Sequence, residues 1–87
     1  MPHLYWTPER IAQLRREIDE FERVAFSAPY QTLIERKKDM TNAGRACSDD
    51  NVRSTLCGSV GYIAKHPDWV REAIAKARSS ADGLGGR

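Results

Sequence analysis

Four side chains in this 87-residue sequence are soft metal ligands: His3, Cys47, Cys57 and His66. Zinc sites draw such residues in close pairs, Cys-x2-Cys or His-x3-His, because four ligands must converge on one tetrahedron. None of the spacings here has that form, so the sequence predicts neither a metal nor another cofactor. Cys57 and His66 are the one thiol and base that could cooperate as a nucleophile pair, and no family signature surrounds either. His66 stands before Pro67, which suits a turn or helix cap. The carboxylates near the N-terminus alternate with arginines, the pattern of a solvated helix face rather than of an acid/base pair. The expectation is a protein that binds without catalysing.

Binding chemistry is better supplied. Arg36, Lys37, Lys38, Arg45 and Arg53 fall around one turn between two helical segments, where they could neutralise phosphates or meet an acidic protein surface. The net charge is only +2. Divided after Gly44, the chain has seven basic and seven acidic residues before the cut, then seven basic and five acidic after it. That excess is too small for a strongly cationic nucleic-acid binder, and the chain is not an acidic mimic of DNA. Aromatic residues point toward protein contact: Tyr5 and Trp6 precede the first helix, and Tyr62 and Trp69 flank the last turn. Tyr, Trp and Arg are the types that anchor protein interfaces, although Trp6 and Trp69 also suit the closing of a small bundle's ends.

Four segments would position these groups. Thr7-Pro8-Glu9 combines a capping hydroxyl, a pre-organised proline and an acid at the positive end of the helix dipole. The helix it opens runs to about Phe26, with Ile11, Leu14, Ile18, Phe21 and Ala25 on one stripe. Ala28-Pro29 breaks it, and Ser27 is the expected cap of a second helix over 29–41, with Tyr30, Leu33, Ile34 and Met40 inward. Asn42-Ala43-Gly44 would end that helix. Ser48-Asp49-Asp50 opens a third, with Val52, Leu56, Val60 and Ile63 on one face. Gly58 and Gly61 weaken it, and such small residues suggest close approach of another backbone. His66-Pro67-Asp68 opens a fourth helix to about Arg78, carrying Trp69, Val70, Ala73, Ile74 and Ala77. Beyond Ser79 the composition turns to Ser, Asp and Gly. The predicted fold is all-α: a compact bundle of three or four short helices over 1–78, with a flexible, disordered C-terminal tail over 79–87.

A balance of 40% hydrophobic and 30% charged residues suits a small globule rather than a disordered chain. Two cysteines make no disulfide framework, and the intervening helix holds them apart, so both should be free thiols. No leader and no membrane span is legible, which makes the cytoplasm the expected location.

One stretch, Leu14-Arg15-Arg16-Glu17-Ile18-Asp19-Glu20-Phe21, resembles the opening of the small helical chorismate mutases, and Leu33-Ile34-Glu35-Arg36 is similar to the next segment of that family. The resemblance covers about a quarter of the chain and implies a helical enzyme with a long first helix, which Ala28-Pro29 interrupts here. As a motif-free helical chain of this size, the protein is also similar in kind to accessory proteins of phages and mobile elements, including anti-CRISPR inhibitors. The leading expectation is therefore a protein-protein interaction module that docks sterically on a larger host complex, or a homodimeric adaptor. Arg36, Lys37, Lys38, Arg45 and Arg53, with Tyr5 and Trp6, would make its contacts. A helix-turn-helix regulator binding DNA or RNA is the alternative, and the chorismate-mutase-like enzyme a minor one.

Overall fold

Each of the first three α-helices begins where a side chain accepts backbone N–H groups that a first turn leaves without partners. In the computed structural model, which describes residues 6–27 and 30–85, Thr7 Oγ1 accepts from the Arg10 amide at 3.2 Å and opens α1, Pro8–Phe26. Its apolar stripe Ile11, Leu14, Ile18, Phe21 and Ala25 is buried, with Val24 beside it. The Ser27 amide donates to Arg23 O at 2.8 Å, so Ser27 closes α1 instead of opening the next helix.

The second helix, α2, is Leu33–Arg45, displaced from the expected 29–41. A stronger start signal lies a few residues past Ser27. Thr32 Oγ1 accepts from the Glu35 amide at 3.1 Å, while the Glu35 carboxylate accepts from the Thr32 amide at 3.0 Å, a reciprocal capping box. That register turns only Met40 and Gly44 into the core. Tyr30, Leu33 and Ile34, expected inward, are exposed. Asn42-Ala43-Gly44 does not end the helix. A methyl placed at Gly44 would sit 2.8 Å from Cys57 Sγ, so the missing side chain is what lets the next helix approach.

That helix, α3, is Asp50–Ser59, capped by Asp49, whose Oδ2 accepts from the Val52 amide at 3.0 Å. It tightens into a 3-10 turn at Val60–Tyr62. Val52, Leu56, Val60 and Ile63 are all buried, as their spacing predicts. The close approach expected at Gly58 and Gly61 is absent: a methyl at either would meet nothing within 4 Å.

α4 spans Pro67–Gly85. Val70, Ile74, Ala77 and Ala81 form its buried stripe. Ala81 carries that stripe past the expected end at Arg78, and Asp82 accepts from Arg15 of α1 at 2.7 Å. Residues 79–85, expected in the tail, are therefore helical; residues 86–87 lie outside the described part. α1 packs on α2 and α4, and α3 packs on the same two, which closes a four-helix bundle with no strand among the described residues. Phe21, Leu14, Ile18, Met40, Leu56 and Ile74 fill its centre. Burying each such side chain contributes about 1.5–3 kcal/mol.

Candidate functional site

The capping box at Thr32 and Glu35 decides what the start of α2 presents. Leu33 and Ile34 occupy the first turn, and Tyr30 stands just before the cap. Leu33 shares a stripe with Met40 and Gly44 but sits a full heptad before Met40, above the packed part of the helix. It stays 43% exposed, while Ile34 is 81% and Tyr30 100% exposed. Three large apolar side chains within five residues thus face solvent at one end of the bundle.

Charge borders this end. Ile34, Lys38 and Arg45 lie four and eleven residues apart on the outer side of α2, and both cations are exposed. Lys37 and Arg36 are both half-buried. Arg53 has a different task. Its Nε donates to Cys47 O at 3.2 Å and its Nη1 to Asp50 Oδ1 at 2.7 Å, which fastens the connection between α2 and α3. The five basic residues grouped by sequence are therefore divided: Lys38 borders the apolar end, Arg45 lies at the far end of α2, and Arg53 is a loop fastener. Arg45 also lies in the last turn of α2, where a cation suits the negative end of the dipole.

Tyr5 lies outside the described residues. Trp6 packs against the core, with the Arg10 guanidinium 4.6 Å from its ring centroid, so it closes the mouth of the bundle beside α1.

A second exposed group forms where the 3-10 turn meets α4. His66 stacks on Trp69 with centroids 4.0 Å apart and planes within 9°, and Tyr62 meets Trp69 edge-on at 4.8 Å. The backbone imposes this: the His66 amide donates to Tyr62 O at 2.7 Å, and the Trp69 amide donates to His66 O at 2.9 Å. Tyr62 and Trp69 are each 44% exposed. They stand at one end of an open groove of about 370 Å³ between α3 and α4.

The groups considered for catalysis do not converge. No hydrogen bond joins Cys57 to His66 among the described residues, and no cluster of three or more His, Cys, Asp or Glu is placed to hold a metal there. Both cysteines are free. Burial pushes the Cys47 thiol up to about 11, with the nearby Glu17 charge adding to it, which keeps it protonated and unreactive. In the stretch similar to chorismate mutases, Arg15 is held by Asp82, Arg16 by Gln13, and Glu17 accepts from both the amide and hydroxyl of Ser48 at 2.9 Å. Asp19 and Glu22 both accept from Arg78 at 2.8 Å, and those carboxylates keep the guanidinium's pKa raised. Apart from the Arg16–Gln13 pair within α1, these polar side chains tie elements together. No described helix is long and apolar enough to cross a membrane.

Apolar spacing alone misses this end of the bundle, because it assigns Tyr30, Leu33 and Ile34 to the core; Thr32-x-x-Glu35 is the sequence signal that exposes them. Comparison with protein-family models, with curated proteins and with solved structures finds no match for the chain.

Proposed function

We propose that the chain is a non-catalytic protein-binding module whose contact surface is the start of α2. Tyr30, Leu33 and Ile34 supply the apolar centre, with Lys38 along the border. The observation that carries this reading is the exposure of Leu33 and Ile34 in the first turn of α2 and of Tyr30 just before its cap. Isolated exposed apolar residues are ordinary, but a contiguous group bordered by charge is the usual anatomy of an interface. Fully covering Ile34 alone would contribute about 1.5–3 kcal/mol to a complex. The matching partner is a larger protein with an apolar pocket and an acidic edge, on which this module would act by occupying space.

A photo-crosslinker at position 34, compared with one at Glu9 on α1, tests the reading in the cells that make the protein. A single adduct specific to position 34, lost with Tyr30→Ala, is the expected result. Equal labelling at both positions would overturn it.

The exposed Lys38 and Arg45 favour a second reading, contact with nucleic-acid phosphates. Retention on random-sequence duplex DNA at physiological salt, abolished by Lys38→Glu and Arg45→Glu together and unaffected by Ile34→Asp, would establish that reading in place of the first. The division of the basic group argues against it, because a duplex groove needs a continuous row of cations.

A further inference from the structure

The groove between α3 and α4 is unlike the end of α2. Its floor includes Gly58, where a side chain would meet nothing within 4 Å. Its α4 wall carries Trp69, Glu72, Ala73 and Lys76 at helical spacing, so all four sit on one side of that helix. Glu72 and Lys76 are four residues apart in the order that commonly forms an ion pair along a helix. Here the two do not bridge, and each is exposed.

We infer that this groove seats a second copy of the chain, with the two α4 helices packed antiparallel about a twofold axis. In such an arrangement residue i faces residue j when their numbers add to a constant, and the contact must carry its own complement. Setting Glu72 opposite Lys76 of the other copy satisfies both charges twice, once on each side of the axis. That register also brings Trp69, within one residue, over Ser80 of the other copy, a bulky ring above a small side chain. Ala73 lies close to the axis, where the backbones approach most closely. Gly58 leaves the floor open to receive what the other copy projects.

Charge selects the occupant. The face carries one acid and one base around a small residue, so neither a strongly acidic nor a strongly basic partner is preferred, whereas a copy related by twofold symmetry matches it. α2 remains clear of the contact, since it packs on α1 and α3 and makes no major seam with α4. The dimer would then display two copies of the Tyr30, Leu33 and Ile34 surface. Two helices with one aromatic anchor each form a contact at the small end of interface sizes, so association should be roughly micromolar.

Sedimentation equilibrium of the full chain, with charge reversals at these two exposed positions, provides the test. Wild type should pass from monomer to dimer with rising concentration. Glu72→Lys or Lys76→Glu alone should raise the dissociation constant about tenfold or more, because like charges then face each other. The Glu72→Lys, Lys76→Glu double variant should restore the wild-type constant. An equimolar mixture of the two single variants should form a heterodimer tighter than either homodimer. Unchanged helical circular dichroism and melting temperature establish that these variants fold. A wild-type monomer at all concentrations, or a dimer indifferent to both reversals, would overturn the proposal.

Discussion

α2 and α4 both pack between α1 and α3, yet they are held very differently. α4 buries Val70, Ile74, Ala77 and Ala81 along most of its length. It also reaches α1 at three levels: Arg71 lies 3.9 Å from the Phe26 ring centroid, Arg78 joins Asp19 and Glu22, and Asp82 holds Arg15. α2 buries only Met40 and Gly44, both in its second half, and its first turn meets solvent. Exposed ion pairs contribute little, typically below ~1 kcal/mol each, so the difference rests mainly on the apolar stripe. One helix is a structural wall. The other is anchored at one end and presents the opposite end.

The sharpest way to break that contrast is to shorten an isoleucine on each helix. Ile74 is 1% exposed and Ile34 is 81% exposed. Ile74→Ala should cost about 2–5 kcal/mol through lost transfer energy and a residual cavity. Ile34→Ala should change stability by less than ~0.5 kcal/mol, since alanine is also the better helix former. Urea unfolding of both variants provides the comparison, and equal losses would mean that the start of α2 is packed after all.

Cys47, just beyond the end of α2, probes the anchored half. Its thiol is raised by burial and then by Glu17. A group raised on folding stabilises the native state fully below its unfolded pKa, about 8.5 for cysteine, and loses that contribution as pH climbs through the folded value. Between pH 8.5 and the folded value of about 11, wild type should therefore lose on the order of 2–3 kcal/mol more than Cys47→Ala does. Matching urea midpoints for the two proteins across that alkaline window would show that the Cys47 thiol is open to solvent.

Gly44 sharpens the same point, because its missing side chain makes room for α3. An added methyl would lie 2.8 Å from Cys57 Sγ and 3.6 Å from Phe21 Cε1. Gly44→Ala should thus lose about 1–2 kcal/mol despite its better helix propensity. Cys57→Ala removes the clashing sulfur, so the double variant should be more stable than the sum of the two single effects. Additive losses would place the strain elsewhere.

These contrasts also separate what the residues disclose from what they conceal. α1 and α3 are legible because cap and apolar spacing agree: Thr7 with Ile11, Leu14 and Ile18, and Asp49 with Val52 and Leu56. α2 is misplaced by spacing because two start signals compete within six residues, and Ser27 lacks the glutamate three positions on that makes Thr32 the stronger. The far end of α4 is hidden by its small and polar composition, in which Ala81 is buried and Leu84 packs partly against the core. The candidate site is legible only in residue type. That Arg53 leaves the basic group to fasten a carbonyl at Cys47 depends on how the chain turns between α2 and α3, which local spacing does not encode.

The smallest effect is expected where α2 begins. Glu35 accepts from the Thr32 amide at 3.0 Å and from its hydroxyl at 2.9 Å, and those hydrogen bonds hold its carboxyl below the usual range. A carboxylate lowered on folding contributes stability above its unfolded pKa, about 4.3, and loses it as pH falls through the folded value. Since few buried contacts hold the first turn of α2, protonation should fray that turn while the bundle stays folded. In NMR spectra the Thr32 amide should titrate with an apparent pKa below about 4.3, the amides of α4 remaining unmoved. Glu35→Gln should abolish the titration, and Thr32→Ala should weaken the turn by ~1 kcal/mol, read as faster amide exchange confined to α2. Acid-induced loss of α4 signals in step with Thr32 would show that the two helices unfold as one unit, and the contrast between them would fail.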